Sequence, residues 1–152
     1  MIASKLWFFS ALGAAFLWGI GYVLSEKLLR QGFTPAFLMF ASDIITLPFY
    51  FLLVWYLGEL KGGISLALSD WKTLSLLVLV ALTVIGGNFL IFTSIADKNA
   101  TMASIIEITY PLFTCLFAWL LLKDVQISWQ TAMGGLFILV GVIIIYIKGD
   151  AS

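Results

Sequence analysis

The 152-residue chain is 62% apolar and 11% charged, whereas soluble globular domains are about 45–50% apolar and about 25% charged. A soluble domain of this length could not bury so much apolar surface, so the composition predicts a protein that is solvated by lipid. The net charge of zero, the absence of histidine and the single cysteine, Cys115, argue against a nucleic-acid-binding patch, a zinc site and a histidine-based catalytic triad.

Five apolar runs follow in chain order, and each is long enough to cross a bilayer as a helix of roughly 20 residues. Charged residues bound these runs, which cover residues 6–25, 34–57, 73–95, 100–122 and 128–147. Backbone polar groups must be satisfied internally in lipid, and alternating strand patterns are absent, so the spans are predicted to be helices. The fold class is therefore an all-α bundle of five transmembrane helices in one domain, residues 1–152.

Two segments allow a second interpretation. The first run is longer than the apolar core of a signal peptide, and no small-residue cleavage site follows it, so we predict a retained span. The longest connection, residues 58–71, is predicted to be either a surface loop or a short interfacial helix.

The positive charges divide evenly between the two sides of the membrane. Side A holds the N-terminus and the second and fourth loops, and side B holds the first and third loops and the C-terminus. Each side carries four lysine or arginine residues, so the positive-inside rule gives no orientation. Either the orientation is simply undetermined by charge, or the chain inserts both ways and pairs antiparallel with itself.

Four polar or large aromatic residues are predicted to share one layer of the membrane. They are Trp18, Asp43, Asn88 and Glu107, on the first four spans, and we call them the polar layer. Each lies within about 3–6 Å of the centre of its span, on side B, at about 1.5 Å per residue. Asp43 and Glu107 are the ionisable members, and such residues within spans are costly and mark candidate functional sites.

The two acids have alternative roles. A carboxylate in low dielectric without a cationic partner tends to bind a proton and can release it when a solute enters, which favours proton-coupled exchange, with Glu107 the stronger candidate. Alternatively, a permanently protonated acid donates a hydrogen bond to a neighbouring helix. An asparagine such as Asn88 more often joins two helices than contacts a ligand. Trp18 could equally meet an apolar or cationic solute or pack against small residues. Acids without bases favour cationic or neutral solutes.

Helical spacing predicts which faces point inward. Two polar stripes are expected to face the bundle interior, formed by Asp43, Thr46 and Tyr50 and by Ser104, Glu107, Pro111 and Thr114. Pro111 removes one helix hydrogen bond near residue 107, and its neighbour Tyr110 is a weaker pathway candidate. Gly134, Gly135 and Gly141 permit close helix approach, within the bundle or at a dimer seam.

Several phrases are similar to a known repeat. They are FLWGIGYVLSEKL in the first span, Pro35 at the start of the second, ADKNATMAS, AWLLLKD and GGLFILVG. Together they resemble the EamA-type repeat of the drug/metabolite transporter superfamily over essentially the whole chain. Ser42 and Asp43 stand where that repeat often has an arginine, which is a departure near its usual substrate contacts.

The resemblance implies a ten-span architecture of two five-span repeats, and inverted repeats place the substrate path at their interface. A second copy in the opposite orientation would supply the other repeat, so an antiparallel homodimer is expected, with a parallel dimer or a heteromer as alternatives. The expected function is secondary transport of a small organic solute, as an exporter or proton-coupled antiporter. The alternative is a non-transporting membrane subunit beside a larger carrier or enzyme.

No nucleotide-binding P-loop is present, and the polar residues are too few for an enzyme site. The sequence therefore predicts no cofactor, no bound metal and no nucleic-acid partner. The expected partners are the solute, protons, the lipid bilayer and a second copy of the chain. The expected location is the cell membrane, as a multi-pass protein of a bacterial or archaeal inner membrane.

Overall fold

A computed structural model describes residues 5–123 and 128–148, and the elements within them are helical. Five stretches are long and apolar enough to cross a membrane, which confirms the predicted fold class. The helices are α1 (Leu6–Arg30), α2 (Pro35–Tyr56), α3 (Leu60–Ala67), α4 (Trp71–Asp97), α5 (Ala100–Glu107), α6 (Tyr110–Phe117), a π-helical turn (Ala118–Leu122) and α7 (Trp129–Lys148).

α1 continues five residues past its predicted end at residue 25 and includes a charged last turn. Glu26 forms an ion pair with Arg30 one turn later, a spacing that supports a helix. Lys27 and Arg30 also lie in the last turn, where cations stabilise the negative end of the helix dipole. Gly32 then ends the helix with a φ of 101°, a left-handed conformation that favours glycine.

The connection between the second and third spans contains a short helix, which is one of the two predicted alternatives. Gly58 turns the chain after α2 with a φ of 72°, and α3 follows and packs against α4. Ile64 is 53% exposed and Leu66 is 67% exposed, so α3 offers apolar side chains to its surroundings just outside the spans.

Asp70 caps the N-terminus of α4 and lies outside the membrane-spanning segment. Its carboxylate accepts hydrogen bonds from the backbone N–H of Thr73 at 3.0 Å, from the Thr73 hydroxyl at 2.8 Å and from the Ser69 hydroxyl at 3.1 Å. The Thr73 backbone N–H, followed by the two hydroxyls, holds the pKa of Asp70 below its ordinary value of 3.8. The ionised carboxylate therefore stabilises the folded helix end.

This cap predicts a pH dependence of stability. Because the folded pKa of Asp70 is depressed, its contribution is fully present above the unfolded pKa, 3.8, and is lost as pH falls through the folded value. We expect Asp70→Asn, which keeps an acceptor but cannot ionise, to melt below wild type at pH 6 and to approach wild type near pH 3. Thermal melting in detergent at both pH values measures this, and a constant difference between the two proteins would contradict it.

The chain divides into two compact units, of which the first ends at Asn99 and the second begins at Ala100. In the amino-terminal unit, α1, α2 and α4 contact one another. Its buried side chains are Tyr22, Leu29, Leu38 and Ile95. These residues lie in the last part of α1, the first part of α2 and the last part of α4. Since successive spans alternate in direction, the packed core of this unit lies at its side B end.

The other end of the same unit has exposed side chains throughout residues 6–17, 47–53 and 76–85, which we call the open half. Consecutive side chains from Leu76 to Val80 are between 50% and 63% exposed. Consecutive helix positions point about 100° apart, so these five sample every direction around α4. This stretch of α4 is therefore half exposed or more in every direction around the helix.

In the carboxy-terminal unit the fourth span is two helices. α5 ends at Glu107, residues 108–109 form a turn, and α6 begins at Tyr110 with Pro111 in its first turn. The backbone N–H of Thr109 donates a hydrogen bond to the carbonyl of Ile106 at 3.1 Å, which closes this turn. The sequence predicts one span over residues 100–122; the stretch is long and apolar enough to cross a membrane, but its helix is interrupted at residues 108–109.

Candidate functional site

Trp18 lies on the face of α1 that packs into the amino-terminal unit. Buried Tyr22 follows it by one turn, half-buried Ser25 by two turns, and buried Leu29 by three, so the four share one stripe. The rings of Trp18 and Tyr22 are 5.8 Å apart between centroids. Trp18 itself is 56% exposed. The stripe thus passes from the packed core at Leu29 to an accessible aromatic surface at Trp18.

Asp43 lies at the edge of the packed face of α2. Leu38 is buried, and Ser42 and Thr46 continue its stripe as half-buried residues. The Ser42 hydroxyl donates to the Leu38 carbonyl at 2.7 Å, and the Thr46 hydroxyl donates to the Asp43 carbonyl at 3.2 Å. The Asp43 side chain, about 100° around the helix from Ser42, is exposed.

Asn88 lies on the packed face of α4. It is half-buried, and it precedes buried Ile95 by seven residues, which is two helical turns. The small residues Gly86 and Gly87 come immediately before it, and no atom lies within 4 Å of where a Cβ would stand at either one. Asn88 therefore lies on the same face of α4 as the packed core, next to two glycines with space around them.

Three of these residues lie at one level of the amino-terminal unit. Tyr22 precedes the end of α1 by eight residues, Asp43 follows the start of α2 by eight, and Asn88 precedes the end of α4 by nine. Each is therefore about 12–14 Å from the side B end of its helix. Trp18 lies about 6 Å farther toward the open half. Tyr22 was missed from sequence, although its position one turn after Trp18 could have indicated it.

Glu107 and Tyr110 lie in the other unit, so the predicted sharing of a layer between Glu107 and Asp43 stays a prediction. Glu107 is half-buried and follows buried Ala100 and Ala103 on one face of α5. It is the last residue of α5, directly before the turn at residues 108–109. An ionisable side chain thus ends a half-helix within a membrane span, an arrangement that occurs where transporters bind solutes or ions.

The predicted polar stripes are only partly inward-facing. In the stripe on α2, Thr46 is half-buried, whereas Asp43 and Tyr50 are exposed. In the stripe on the fourth span, Ser104 and Glu107 are half-buried, whereas Pro111 and Thr114 are exposed. The second stripe loses its register because the turn between α5 and α6 changes the helical phase. Tyr110, at the start of α6, is 63% exposed.

Among the described residues, no three His, Cys, Asp or Glu side chains are grouped as a metal site requires.

The three glycines of α7 differ in their surroundings. A Cβ on Gly135 would lie 2.9 Å from Cδ2 of Leu112 in α6, whereas no atom lies within 4 Å of a Cβ on Gly134 or Gly141. Gly135 therefore allows close approach of α7 and α6 within the unit. Gly134 and Gly141 present small, open positions on the same helix.

This difference predicts unequal effects for two adjacent alanine substitutions. Gly134→Ala is expected to stabilise the protein by about 0.5–1 kcal/mol, because alanine is the better helix former and meets nothing. Gly135→Ala must displace Cδ2 of Leu112, the far end of a flexible side chain, so a steric cost should remove part of that gain. Unfolding in mixed detergent micelles compares the two variants. Equal stabilisation by both would contradict the packing of Gly135 against α6.

The chain was compared with known proteins. The model of the EamA-like transporter family matches residues 5–147, a region that includes all five spans and every residue of the candidate site. No curated protein and no solved structure gives a significant match.

Proposed function

Because this chain belongs to the EamA-like transporter family, we propose that it is a secondary transporter of a small organic solute that works as a dimer by alternating access. The family match supports transport in general, and the broken fourth span with Glu107 at its break supports a mechanism. The finer proposal is an exporter or proton-coupled antiporter in the cell membrane of a bacterium or archaeon, where a proton gradient would drive it.

Glu107 is the proposed proton-coupling group. It ends a half-helix on the face that carries buried Ala100 and Ala103, so its carboxyl group is partly shielded from the surroundings. In the proposed mechanism, this carboxyl group takes up a proton and gives it up when the solute enters. Alternating access would then exchange one solute for one or more protons.

The open half of the amino-terminal unit supports the dimer. The side chains of α4 from Leu76 to Val80 are each at least half exposed, so this stretch of the span has apolar surface that another helix could contact. A second copy of the chain would cover part of this surface, and the even division of positive charge between the two sides is compatible with an antiparallel copy. The family resemblance, with its two inverted repeats, favours the same arrangement.

The second candidate is a non-transporting subunit, since a larger carrier could cover the open half equally well. Solid-supported-membrane recordings on proteoliposomes of the purified 152-residue chain separate the two. Under a pH gradient, jumps of organic cations, amino acids, nucleosides and sugars are applied in turn. Transport predicts a transient current for at least one class that protein-free liposomes lack. Silence for all classes would favour the subunit.

The arrangement of the two copies is tested separately. In a background without Cys115, one cysteine is placed at residue 62 in the second loop and labelled from one side of sealed vesicles. An antiparallel pair predicts labelling of about half of the copies from each side. Labelling of all copies from one side would overturn the antiparallel arrangement, and a monomeric mass in nanodiscs would overturn the dimer.

A further inference from the structure

We propose that the amino-terminal unit binds organic cations, with the carboxylate of Asp43 as the counter-charge and Trp18 as the surface for the apolar part of the molecule. This inference rests on the proposed function, because it names the solute class of the transporter. It depends on three observations about the described residues of α1, α2 and α4.

The first observation is that the charge at the level of Asp43 is negative. Asp43 lies about 12 Å from the side B end of α2, whereas Lys27 lies about 4 Å from the corresponding end of α1 and Lys98 caps the end of α4. Arg30 is paired with Glu26. Among the described residues of this unit, no basic side chain shares the level of Asp43. An anionic solute would meet a negative charge here without compensation, and a cation would meet an attractive one.

The second observation is that the Asp43 carboxylate is available. Its backbone carbonyl accepts from Thr46, but within the described residues the carboxylate forms no hydrogen bond or ion pair, and the side chain is exposed. Neighbouring hydroxyls are already used along the helix, as Ser42 donates to Leu38 and Thr46 to Asp43. An ionisable group at membrane depth normally has a partner, and a cationic ligand would supply one.

The third observation concerns the side chains at and near the level of Asp43. Tyr22 and the neutral amide of Asn88 lie at the level of Asp43, and Trp18 lies about 6 Å farther toward the open half. The ring of Trp18 lies 5.8 Å from that of Tyr22 between centroids, at an interplanar angle of 49°, and Trp18 is still 56% exposed. An ammonium or phosphonium group near Asp43 would place an attached apolar body of about 6 Å against the indole, which also attracts cations through its π face.

Two ions of the same shape and opposite charge test this proposal. Tetraphenylphosphonium and tetraphenylborate are equilibrated with the purified chain in phosphatidylcholine nanodiscs, and binding to empty nanodiscs is subtracted. The proposal predicts at least about tenfold tighter binding of the phosphonium ion. Asp43→Asn should weaken phosphonium binding at least about tenfold, and Trp18→Leu should weaken it about threefold to tenfold. Asp43→Glu should bind within a few-fold of wild type.

Asp97→Asn serves as the matched control, because it removes an acid at the end of α4 and should leave binding unchanged. Equal binding of the two ions by wild type, or equal phosphonium binding by Asp43→Asn and Asp97→Asn, would overturn the proposal. The wild-type comparison of the two ions needs no variant, so a poorly folded variant does not remove the test. If the chain binds phosphonium selectively but no solute gives a transport current, the proposed function is wrong and the cation site stands. If only anions give a current, the transporter proposal stands and the cation site is wrong.

Discussion

In proteoliposomes of the Glu107→Gln variant, the solute current driven by a pH gradient is expected to fall at least about tenfold, to the level of protein-free liposomes. Glutamine matches glutamate in size and polarity but cannot carry a proton. Glu107 is half-buried at the end of α5, so the substitution should leave the fold intact. Solid-supported-membrane recording with the solute class that wild type transports provides the measurement.

Two further variants make this result specific. Glu59→Gln removes an exposed acid at the start of α3, outside the spans, and is expected to keep the wild-type current. Glu107→Asp retains an ionisable group one methylene shorter and is expected to keep a reduced current that still depends on pH. If Glu107→Gln exchanges solute against protons as fast as Glu59→Gln does, Glu107 is not the coupling group.

The membrane spans could be predicted from sequence because lipid leaves the backbone few choices. A span needs about 20 apolar residues and must be helical, so the apolar runs alone located α2 and α4 to within about two residues. The apolar run ends at the charged pair Glu26 and Lys27, so the sequence places the end of α1 five residues too early. Their helical spacing to Arg30, and the ion pair that it permits, carry the helix through the charged turn.

The candidate site was less predictable from the sequence. Counting residues along a helix gives the depth of a side chain in the membrane, but which side chains surround it depends on how the helices pack. Trp18 and Asn88 do lie on packed stripes, as helical spacing allows. Asp43 lies at the edge of its stripe, which depends on how α2 rotates against its neighbours. Tyr22 is as close to Asp43 in level as Asn88 is, and its one signal in the sequence is its position one turn after Trp18.

The break in the fourth span is expected to be required for transport, and Pro111→Ala tests this. Pro111 has no N–H to donate toward the carbonyl of Glu107, and its ring disfavours helical backbone at the preceding residue. Alanine would supply the donor and allow α5 and α6 to join into one helix. We expect a stability gain of about 1–2 kcal/mol together with at least about a tenfold loss of transport current, because Glu107 would no longer end a half-helix.

Pro48→Ala is the matched control for this substitution. Pro48 lies inside α2, which continues unbroken through it, so its replacement should also stabilise the protein but leave the current within about twofold of wild type. The comparison separates the break from the general effect of removing a proline, since both variants gain a helical N–H. If Pro111→Ala transports as well as Pro48→Ala does, the turn at residues 108–109 is a local irregularity of the span and not part of the transport mechanism.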